Sequence, residues 1–530
     1  MIQPRTQTAQ YWEEEFALEQ ADIDQLYNHL LEVEKPQTIA QMTRVVIEHR
    51  VNAELKQVER LMAGRTIYQP AGSFDVGAKL VFPIMEYAHG DVTGKRKGFN
   101  PQVGQFEVIQ VDMDGETKEF ASSLETEHAL NQSDENDSEL PDELAGIDVN
   151  NLVAVYGDKV GISVADSLAG HEEFLRLGSN WFVKSLMAEV NIGHLHLAEA
   201  VLEMSGGGPL PTAEITPHLD MDAGLDASVL EFSLNYSLLN DTRFDEVAPK
   251  GEVAWYLHRM EPEAVKKTPE RLQYSPIPHD RALLSPQLLL LERELDDEWS
   301  DVAVPDLAQA VVFTLTFPHR WAGTLPLSAR IRPLFPIGQS PRQQITFIDE
   351  NSNEKIEGWI VKEGRYIYGL SDWYEQYKIP IGGFVHLKPG PKPNVIIIGH
   401  DKRRSQREYV RLATAVDNRI QFELRKRGIE CGFDDLLIVG TDVTAAIDAL
   451  FRRSESQQRN IASLLAEIFG PLASLTPQNA VHAKTLYSAI NMLRRVPPGP
   501  LFAELVRHPA FTPVGDHYWQ FDRVRWRESN

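Results

Sequence analysis

The C-terminal stretch, residues 460–521, places three short helices directly before a two-stranded hairpin, and this order limits its possible folds. Apolar residues at helical spacing predict a first helix that Gly470-Pro471 ends. A second helix is predicted up to Pro497, and a third precedes Pro509. The segments on either side of Gly515-Asp516 predict a terminal hairpin, with Phe511 and Trp519 buried beneath it.

The same order recurs in the middle of the chain, between Asn191 and Met260. Gly206-Gly207-Gly208-Pro209 ends a first helix there, and Val229–Leu239 is a later one. The strands after it flank a polar turn at residues 249–252. Each copy also places a Phe three residues before a Val where its hairpin begins, as Phe244 with Val247 and Phe511 with Val514.

Both segments resemble the HARE-type helix-turn-helix, the winged module of the delta subunit of bacterial RNA polymerase and of chromatin and restriction proteins. The resemblance rests on the order of helices, polar turn and aromatic strand rather than on an invariant motif. It implies two winged helix-turn-helix domains that bind DNA or a transcription-associated partner. A winged helix used only for protein contacts is the alternative.

The N-terminal region changes pattern near Phe74. Before it, apolar stripes predict helices at Asp22–Leu31 and Ile39–Met62, which we expect to form a packing or dimerisation hairpin. After it, short strands punctuated by glycines predict a small SH3-like barrel. Its basic loop, Gly94–Gly98, could contact phosphates or be simply solvated, and small barrels of this kind also dock proteins.

A third pattern covers residues 311–399. A strand with Trp359, a strand ending in Gly369-Leu370, a short aromatic helix at Asp372–Tyr377 and a return strand at Gly382–Leu387 follow one another. This order is similar to the B3-type pseudobarrel, a DNA-reading barrel of plant transcription factors and some bacterial restriction enzymes. A structural SH3-like or oligonucleotide-binding barrel is the alternative.

The predicted fold class is therefore a multidomain α+β protein with two winged helix-turn-helix domains and two small β barrels. We expect these segments: 1–66 N-terminal helical region, 67–124 SH3-like barrel, 125–150 acidic linker, 151–262 winged-helix domain, 263–300 linker, 301–400 β barrel, 401–455 basic helical region and 456–530 C-terminal winged-helix domain.

Composition limits the cellular compartment in which the protein is expected and the kinds of metal or disulfide site that it can contain. The mean hydropathy is -0.30, and no run is apolar enough to span a bilayer. The first residues also lack the features of a signal peptide. The single cysteine, Cys431, allows no internal disulfide and no cysteine-based zinc site. We therefore expect a cytoplasmic protein without a membrane contact, a metal or a cofactor.

Charge is spread unevenly along the chain. The formal net charge is -25, yet residues 401–530 hold 19 Lys and Arg against 15 Asp and Glu. If residues 402–427 form a helix, Arg404, Arg407 and Arg411 share one face and could contact successive phosphates. A solvated helix paired with Glu408 and Glu423 is the alternative. The candidate DNA-binding residues are Arg403, Arg404, Arg407, Arg411, Lys484, Arg494, Arg495 and Arg507.

The two predicted winged copies differ in charge. Carboxylates surround Arg243 and Lys250 in the middle copy and would repel phosphate. In the C-terminal copy, Lys484, Arg494 and Arg495 are expected to face outward. We therefore expect the C-terminal copy to bind duplex DNA. The middle copy would bind protein or pack inside the molecule.

Catalytic motifs are scarce. The chain contains no phosphate loop, no dinucleotide fingerprint, no nucleophile elbow and no His-Glu-x-x-His. His194 and His196 diverge on a helix, while the Asp112, Glu116 and Lys118 group and the Asp434-Asp435 pair are incomplete metal-nuclease sets. The sequence favours a non-catalytic DNA-binding or transcription-associated protein that binds double-stranded DNA. The alternatives are an adaptor of RNA polymerase or of a defence system, and a nuclease with an unrecognised site.

Overall fold

The computed structural model describes residues 5–62, 64–82, 85, 88–101, 103–126, 148–222, 224–303, 310–335, 337–338 and 340–526. The chain divides into two compact units, residues 1–190 with 221–236, and residues 191–220 with 237–530. It is a mixed α+β protein with several separate sheets, as expected. The predicted acidic linker falls mainly on residues 127–147, which lie outside the described residues. No helix in the described part of the chain is long and apolar enough to cross a membrane.

The first unit begins with a short 3-10 helix and a π-helix and continues with the following elements. They are α1 Gln20–Val33, β1 Gln37–Thr38, α2 Ile39–Met62, β2 Thr66–Ile67, β3 Lys79–Phe82, β4 Ala88–Asn100, β5 Gly104–Met113, β6 Glu116–Ser122, α3 Val149–Ala169, β7 Phe174–Leu177 and β8 Asn180–Val183. The two helices predicted near the N-terminus are confirmed.

Helices α1, α2 and α3 enclose one core of this unit with the three-stranded sheet β1-β8-β7. Trp12, Leu26, Val46, Val164 and Trp181 are buried in it, because the apolar stripes of the helices face one another. Helices α1 and α2 are therefore part of a larger module. This core is consistent with the packing role expected for the two helices, and their role in dimerisation stays a prediction.

A five-stranded sheet, in the order β2-β3-β4-β5-β6, occupies the chain between α2 and α3. Its core contains Phe74, Leu80 and Ile109. The predicted basic loop Gly94–Gly98 is instead part of strand β4, where Lys95 bonds Asp75 at 3.0 Å and Arg96 pairs with Glu119. Most of its charge is thus neutralised within the sheet.

The second unit starts with a helix–strand–helix segment and a hairpin. These elements are α4 Ile192–Met204, β9 Leu210–Pro211, α5 Thr212–Ile215, β10 Phe244–Glu246 and β11 Ala254–Leu257. Helix α6 Ala227–Leu239 precedes β10 along the chain, and its residues 227–236 belong to the first unit. Helix α6 spans the boundary between the units. Short helices follow, α7 Glu263–Lys266 and α8 Pro286–Leu295.

A seven-stranded sheet comes next, with strand order β12-β17-β18-β14-β15-β16-β13. Its elements are β12 Val311–Thr314, α9 Phe317–Ala322, β13 Thr324–Pro326, β14 Arg342–Asp349, β15 Lys355–Val361, β16 Tyr366–Tyr368, α10 Ser371–Gln376, β17 Phe384–Pro389 and β18 Val395–His400. All neighbours are antiparallel except β14 and β18. The strands and the aromatic helix predicted here are confirmed as elements.

Residues 402–431 form two long strands rather than the predicted basic helix. Strands β19 Lys402–Val416 and β20 Arg419–Cys431 are antiparallel, and β21 Gly440–Thr441 adds to β19. The turn between them is Asp417-Asn418, with φ of 48° and 57°, a left-handed pair that suits a two-residue hairpin. The helix prediction was wrong because apolar residues alternate with polar ones in the half of the hairpin nearest its turn. This strand pattern follows Tyr409 in β19 and begins β20.

The C-terminal part contains four helices and a small sheet. They are α11 Thr444–Ser456, α12 Ile461–Ala473, β22 Val481–His482, α13 Ala483–Ile490, α14 Pro498–Arg507, β23 Phe511–Gly515 and β24 Tyr518–Phe521. Helix α12 continues past Pro471 to Ala473, so Gly470-Pro471 does not end it. Phe511 and Trp519 are buried, as expected.

Three segments of the chain share one topology. In each, a helix leads to a two-residue strand, the next helix starts at the following residue, and a third helix precedes a hairpin. The sheet orders β1-β8-β7, β9-β11-β10 and β22-β24-β23 are equivalent, because the first strand pairs with the last. Two copies were expected from the sequence. The N-terminal copy was missed because residues 63–148 separate its second and third helices.

Candidate nucleic-acid interface

The hairpin of β19 and β20 is exposed on both faces in the middle of its length. We call residues 402–409 and 424–430 the exposed ribbon; all of them except Glu408 and Ile429 are exposed. At one end of the ribbon Cys431 is buried in the core of the seven-stranded sheet. Beyond the other end, Ile420 and Phe422 are buried in the core of the C-terminal helices. Both ends of the ribbon are therefore anchored.

The ribbon is the most basic part of an acidic chain. Residues 402–431 contain nine Lys and Arg and four Asp and Glu, against a net charge of -25 for the whole protein. A polyanion is repelled by the chain as a whole, so a local surplus of cations is the feature that decides where one could bind.

One face of the ribbon carries free cations around an aromatic ring. Directly opposed residues of paired strands share a face, and Tyr409 opposes Lys426 while Arg407 opposes Gly428. Tyr409 is 71% exposed, and the Lys426 Nζ lies 5.8 Å from its ring centroid. Within the described residues, no carboxylate lies at ion-pair distance from Arg407 or Lys426. We call this side the open face.

The opposite face is largely neutralised. Arg425 bonds Glu423 at 2.7 Å and Asp442 at 3.1 Å, and Arg427 also pairs with Asp442. Glu408 opposes Arg427 across the two strands. An approaching phosphate therefore meets balanced charge on this side.

The strand places the three arginines expected on one helical face, and the neighbouring candidate Arg403, differently. Alternate residues of a strand point to opposite sides, so Arg407 and Arg411 share a face, whereas Arg404 lies where the pairing between Lys402 and Gln406 is irregular. Arg403 bonds Asp401 at 3.2 Å, and half-buried Arg411 donates to the Asp435 carbonyl. In the described structure Arg404 and Arg407 have no acidic partner.

The cations of the C-terminal copy are mostly not on the surface. Lys484 is 8% exposed and bonds Glu294 at 2.5 Å and Asp434 at 2.7 Å. Burial lowers the pKa of Lys484, but the bonds to these two carboxylates outweigh it and raise the pKa. The expectation that Lys484 faces outward is wrong.

Arg495 is fully enclosed. Its guanidinium donates to Asp297 and to Glu298, both at 2.7 Å, and all three side chains are buried. Tyr487 donates to Asp297 at 2.5 Å, and His319 contacts Glu298 at 3.1 Å. Burial raises the pKa of Asp297, whereas the charge of Arg495 holds the pKa of Glu298 well below its usual range despite burial. Arg495 therefore supports the fold and is not available to DNA.

The other two C-terminal candidates also have partners. Arg494 is half-buried and donates to the Arg459 carbonyl, and exposed Arg507 makes a bidentate pair with Glu504 at 2.8 and 2.9 Å. Helix α14, which ends at Arg507, is buried along most of its length. It packs against α8 and residues 281–283. The C-terminal copy thus offers few free cations.

The incomplete catalytic sets stay incomplete in the structure. His194 accepts from the Asn191 N–H at the start of α4, and His196 contacts Arg243 at 3.1 Å. Lys118 pairs with Glu116 at 3.7 Å on the surface. Asp434 is bonded to Lys484 and is not free for a metal ion.

One cluster escaped the sequence analysis. Asp245 of β10, with His258 and Glu261 after β11, places one ligand atom each within 4.8 Å of the others. Arg342 of β14 lies among them, with its Nη1 2.7 Å from Asp245, 3.1 Å from Glu261 and 3.2 Å from His258. The His258-x-x-Glu261 spacing was the available signal, but Asp245 and Arg342 are distant in sequence.

The pKa values of the two carboxyl groups in this cluster, those of Asp245 and Glu261, are shifted in opposite directions. Burial raises the pKa of Glu261 to about 8, and the neighbouring charge of Asp245 raises it as well. For Asp245, burial acts in the same direction, but the hydrogen bonds with His258 and Glu261 and the charge of Arg342 together outweigh it and lower the pKa. Two neighbouring carboxyl groups are driven to different pKa values because it is unfavourable for both to be charged at once.

Comparison with family models, with curated proteins and with the solved structures finds no match for this chain.

Proposed function

We propose that the protein is a non-catalytic double-stranded DNA-binding protein whose main contact is the open face of the exposed ribbon. The observation that carries the proposal is the pair of cations Arg407 and Lys426, which have no carboxylate partner in the described part of the chain and lie around the exposed ring of Tyr409. Cations without carboxylate partners release counterions when they bind phosphates, which favours association with DNA.

The shape of the ribbon also supports DNA. The major groove of B-form DNA admits a two-stranded β ribbon. Both faces of this ribbon are exposed, and its two ends are anchored in separate cores, so it can enter a groove without unfolding. Arg404 is exposed in the irregular part of β19 and could reach a backbone phosphate at the rim of the groove.

The surrounding segments have roles consistent with this proposal. The seven-stranded sheet with its two short helices is proposed to be B3-like, and the ribbon begins just after its strand β18, at Lys402. The three segments of equal topology are proposed to be winged helix-turn-helix modules of the HARE type. In the C-terminal one the third helix is buried, which favours a packing role.

The ribbon is tested by fluorescence anisotropy of a labelled duplex with the full chain, from low to physiological salt. Changing Arg404, Arg407 and Lys426 to Gln should weaken binding at least tenfold for unrelated sequences. It should also reduce the slope of log affinity against log salt by up to about 2.7, because each phosphate contact contributes about 0.9.

The matched control changes Arg419, Arg453 and Lys267 to Gln, which removes the same charge from exposed positions outside the ribbon. An equal loss in both triple variants would show that only total charge matters and would refute the ribbon. No binding by the wild-type chain at low salt would favour the adaptor function. A supercoiled plasmid with Mg²⁺ tests the nuclease alternative.

A further inference from the structure

The cluster of Asp245, His258, Glu261 and Arg342 lies away from the ribbon and has a different chemistry. Asp245 is in strand β10, and His258 and Glu261 belong to the turn of helix that follows β11. The hairpin pairs Asp245 with Tyr256, which brings residue 258 back beside it. Two carboxylates and an imidazole are thereby positioned by backbone pairing rather than by flexible loops.

The ligand atoms converge on one point. The His258 Nδ1 lies 2.7 Å from Asp245 Oδ2 and 3.5 Å from Glu261 Oε2. Ligands on a tetrahedral ion at about 2.0–2.2 Å from the metal are separated by about 3.3–3.6 Å. The distance between His258 and Glu261 matches that spacing, whereas Asp245 and His258 must move apart to share an ion. All three ligand atoms lie within 4.8 Å of one another.

A second observation points to an additional ligand. The Glu261 side chain is 0% exposed, and its Oε1 has no hydrogen-bond partner among the residues that the structure describes. A buried carboxylate oxygen without a donor is costly, and the cost is removed if both oxygens face a cation. The present cation, the Arg342 guanidinium, bonds only Oε2 of this residue.

We propose that Asp245, His258 and Glu261 form a binding site for a divalent transition-metal ion such as Zn²⁺, and that Arg342 and the ion compete for it. Nitrogen and carboxylate ligands suit such an ion. The Arg342 Nη1 contacts the same three ligand atoms that the ion would bind, so the two cannot be present together. In the metal-free protein Arg342 serves as the counter-charge.

The competition has a structural consequence. Arg342 is the first residue of β14, so in the metal-free state it ties the start of the central strand of the seven-stranded sheet to the β10–β11 hairpin. The ion would release that side chain and leave the hairpin closed on the metal. Binding should therefore change the local stability of residues 244–261 and 342, independently of any DNA contact.

The test is calorimetric titration of Zn²⁺ into the chelator-treated full chain. We expect one saturable site with micromolar or tighter affinity, lost in His258→Ala and in Glu261→Gln, and kept in His218→Ala, a matched change of an exposed histidine in another short helix. Arg342→Met removes the competitor and should tighten Zn²⁺ binding at least tenfold, a gain that misfolding cannot produce.

Other results would overturn the site. Saturable binding absent from both the wild type and Arg342→Met excludes it, and so does binding that His258→Ala leaves unchanged. Affinity in Arg342→Met equal to or weaker than that of the wild type refutes the competition. Equal affinity for Mg²⁺ refutes the transition-metal assignment, because Mg²⁺ prefers oxygen ligands.

Discussion

The exposed ribbon and the C-terminal helices contain similar runs of cations that have opposite fates. In the ribbon, Arg407 and Lys426 are exposed and have no carboxylate partner among the described residues. In the C-terminal helices, Lys484 and Arg495 are buried and each is bonded to two carboxylates. A count of Lys and Arg therefore does not locate a DNA-binding surface. Whether a cation is available to a ligand or stabilises the fold depends on the carboxylates that pair with it.

The largest effect is expected at Arg495. Changing it to Ala leaves Asp297 and Glu298 buried without their counter-charge, which should destabilise the fold by about 3–5 kcal/mol. Urea-induced unfolding of the full chain measures the loss, and hydrogen exchange of α13 locates it. The exposed Arg507→Ala is the control and should cost less than 1 kcal/mol. A similar cost for both variants would remove the distinction between the two regions.

A smaller effect, dependent on pH, is expected at His482. Its Nδ1 accepts the Lys484 N–H at the start of α13, and burial lowers its pKa from about 6.5 to about 4. The unfolded chain therefore binds a proton between these values that the folded chain does not. The contribution of His482 to the free energy of unfolding is fully present above pH 6.5. It is lost as the pH falls towards 4, by on the order of 2 kcal/mol.

His482→Asn should flatten that loss, because asparagine still accepts the N–H but does not titrate. Hydrogen exchange of α13 at pH 7 and pH 4.5 gives the comparison, with His218→Asn as the variant that should keep the wild-type dependence. If His482→Asn loses as much protection on acidification as the wild type, the cap is not the titrating group.

The smallest effect on stability is expected in the ribbon. Changing Arg404, Arg407 and Lys426 to Gln should alter the free energy of unfolding by less than about 0.5 kcal/mol per residue, because these side chains are exposed and make no ion pair with a described carboxylate. Urea-induced unfolding of the triple variant measures it. A large destabilisation would place these cations with Arg495 as supports of the fold and would weaken the proposed function.

Local patterns predicted much of the architecture. The hairpins after Phe244 and Phe511 were foreseen, since aromatic strands flank clear turn residues. The strands between Val311 and Leu387 were foreseen for the same reason. The ribbon was misread because Arg404, Arg407 and Arg411 also fit helical spacing, and charged residues carry little periodic signal when both faces are exposed.

The site could not be predicted to the same extent. The partners of Lys484 and Arg495 lie at Glu294, Asp297 and Glu298, far away in sequence, and only the fold brings them together. A segment containing residues 456–530 alone would lose these counter-charges. Experiments on the C-terminal copy therefore need the full chain.

The five-stranded sheet inserted into the N-terminal copy has a consequence for synthesis. Helix α3 and strands β7 and β8 leave the ribosome only after residues 63–148 have been made, so α1 and α2 wait for their partners. Where the inserted part begins and ends, Ser123 N–H bonds the Gly72 carbonyl and Leu124 N–H bonds the Pro70 carbonyl, both at 2.9 Å. Once that sheet has formed, these two bonds hold residues 70–72 close to residues 123–124, which shortens the chain that must close. Each doubling of loop length adds about 0.6 kcal/mol to the free energy of closing the loop. Early folding of the insert shortens the effective loop, so the first half of the module pairs more easily with the half that is made later.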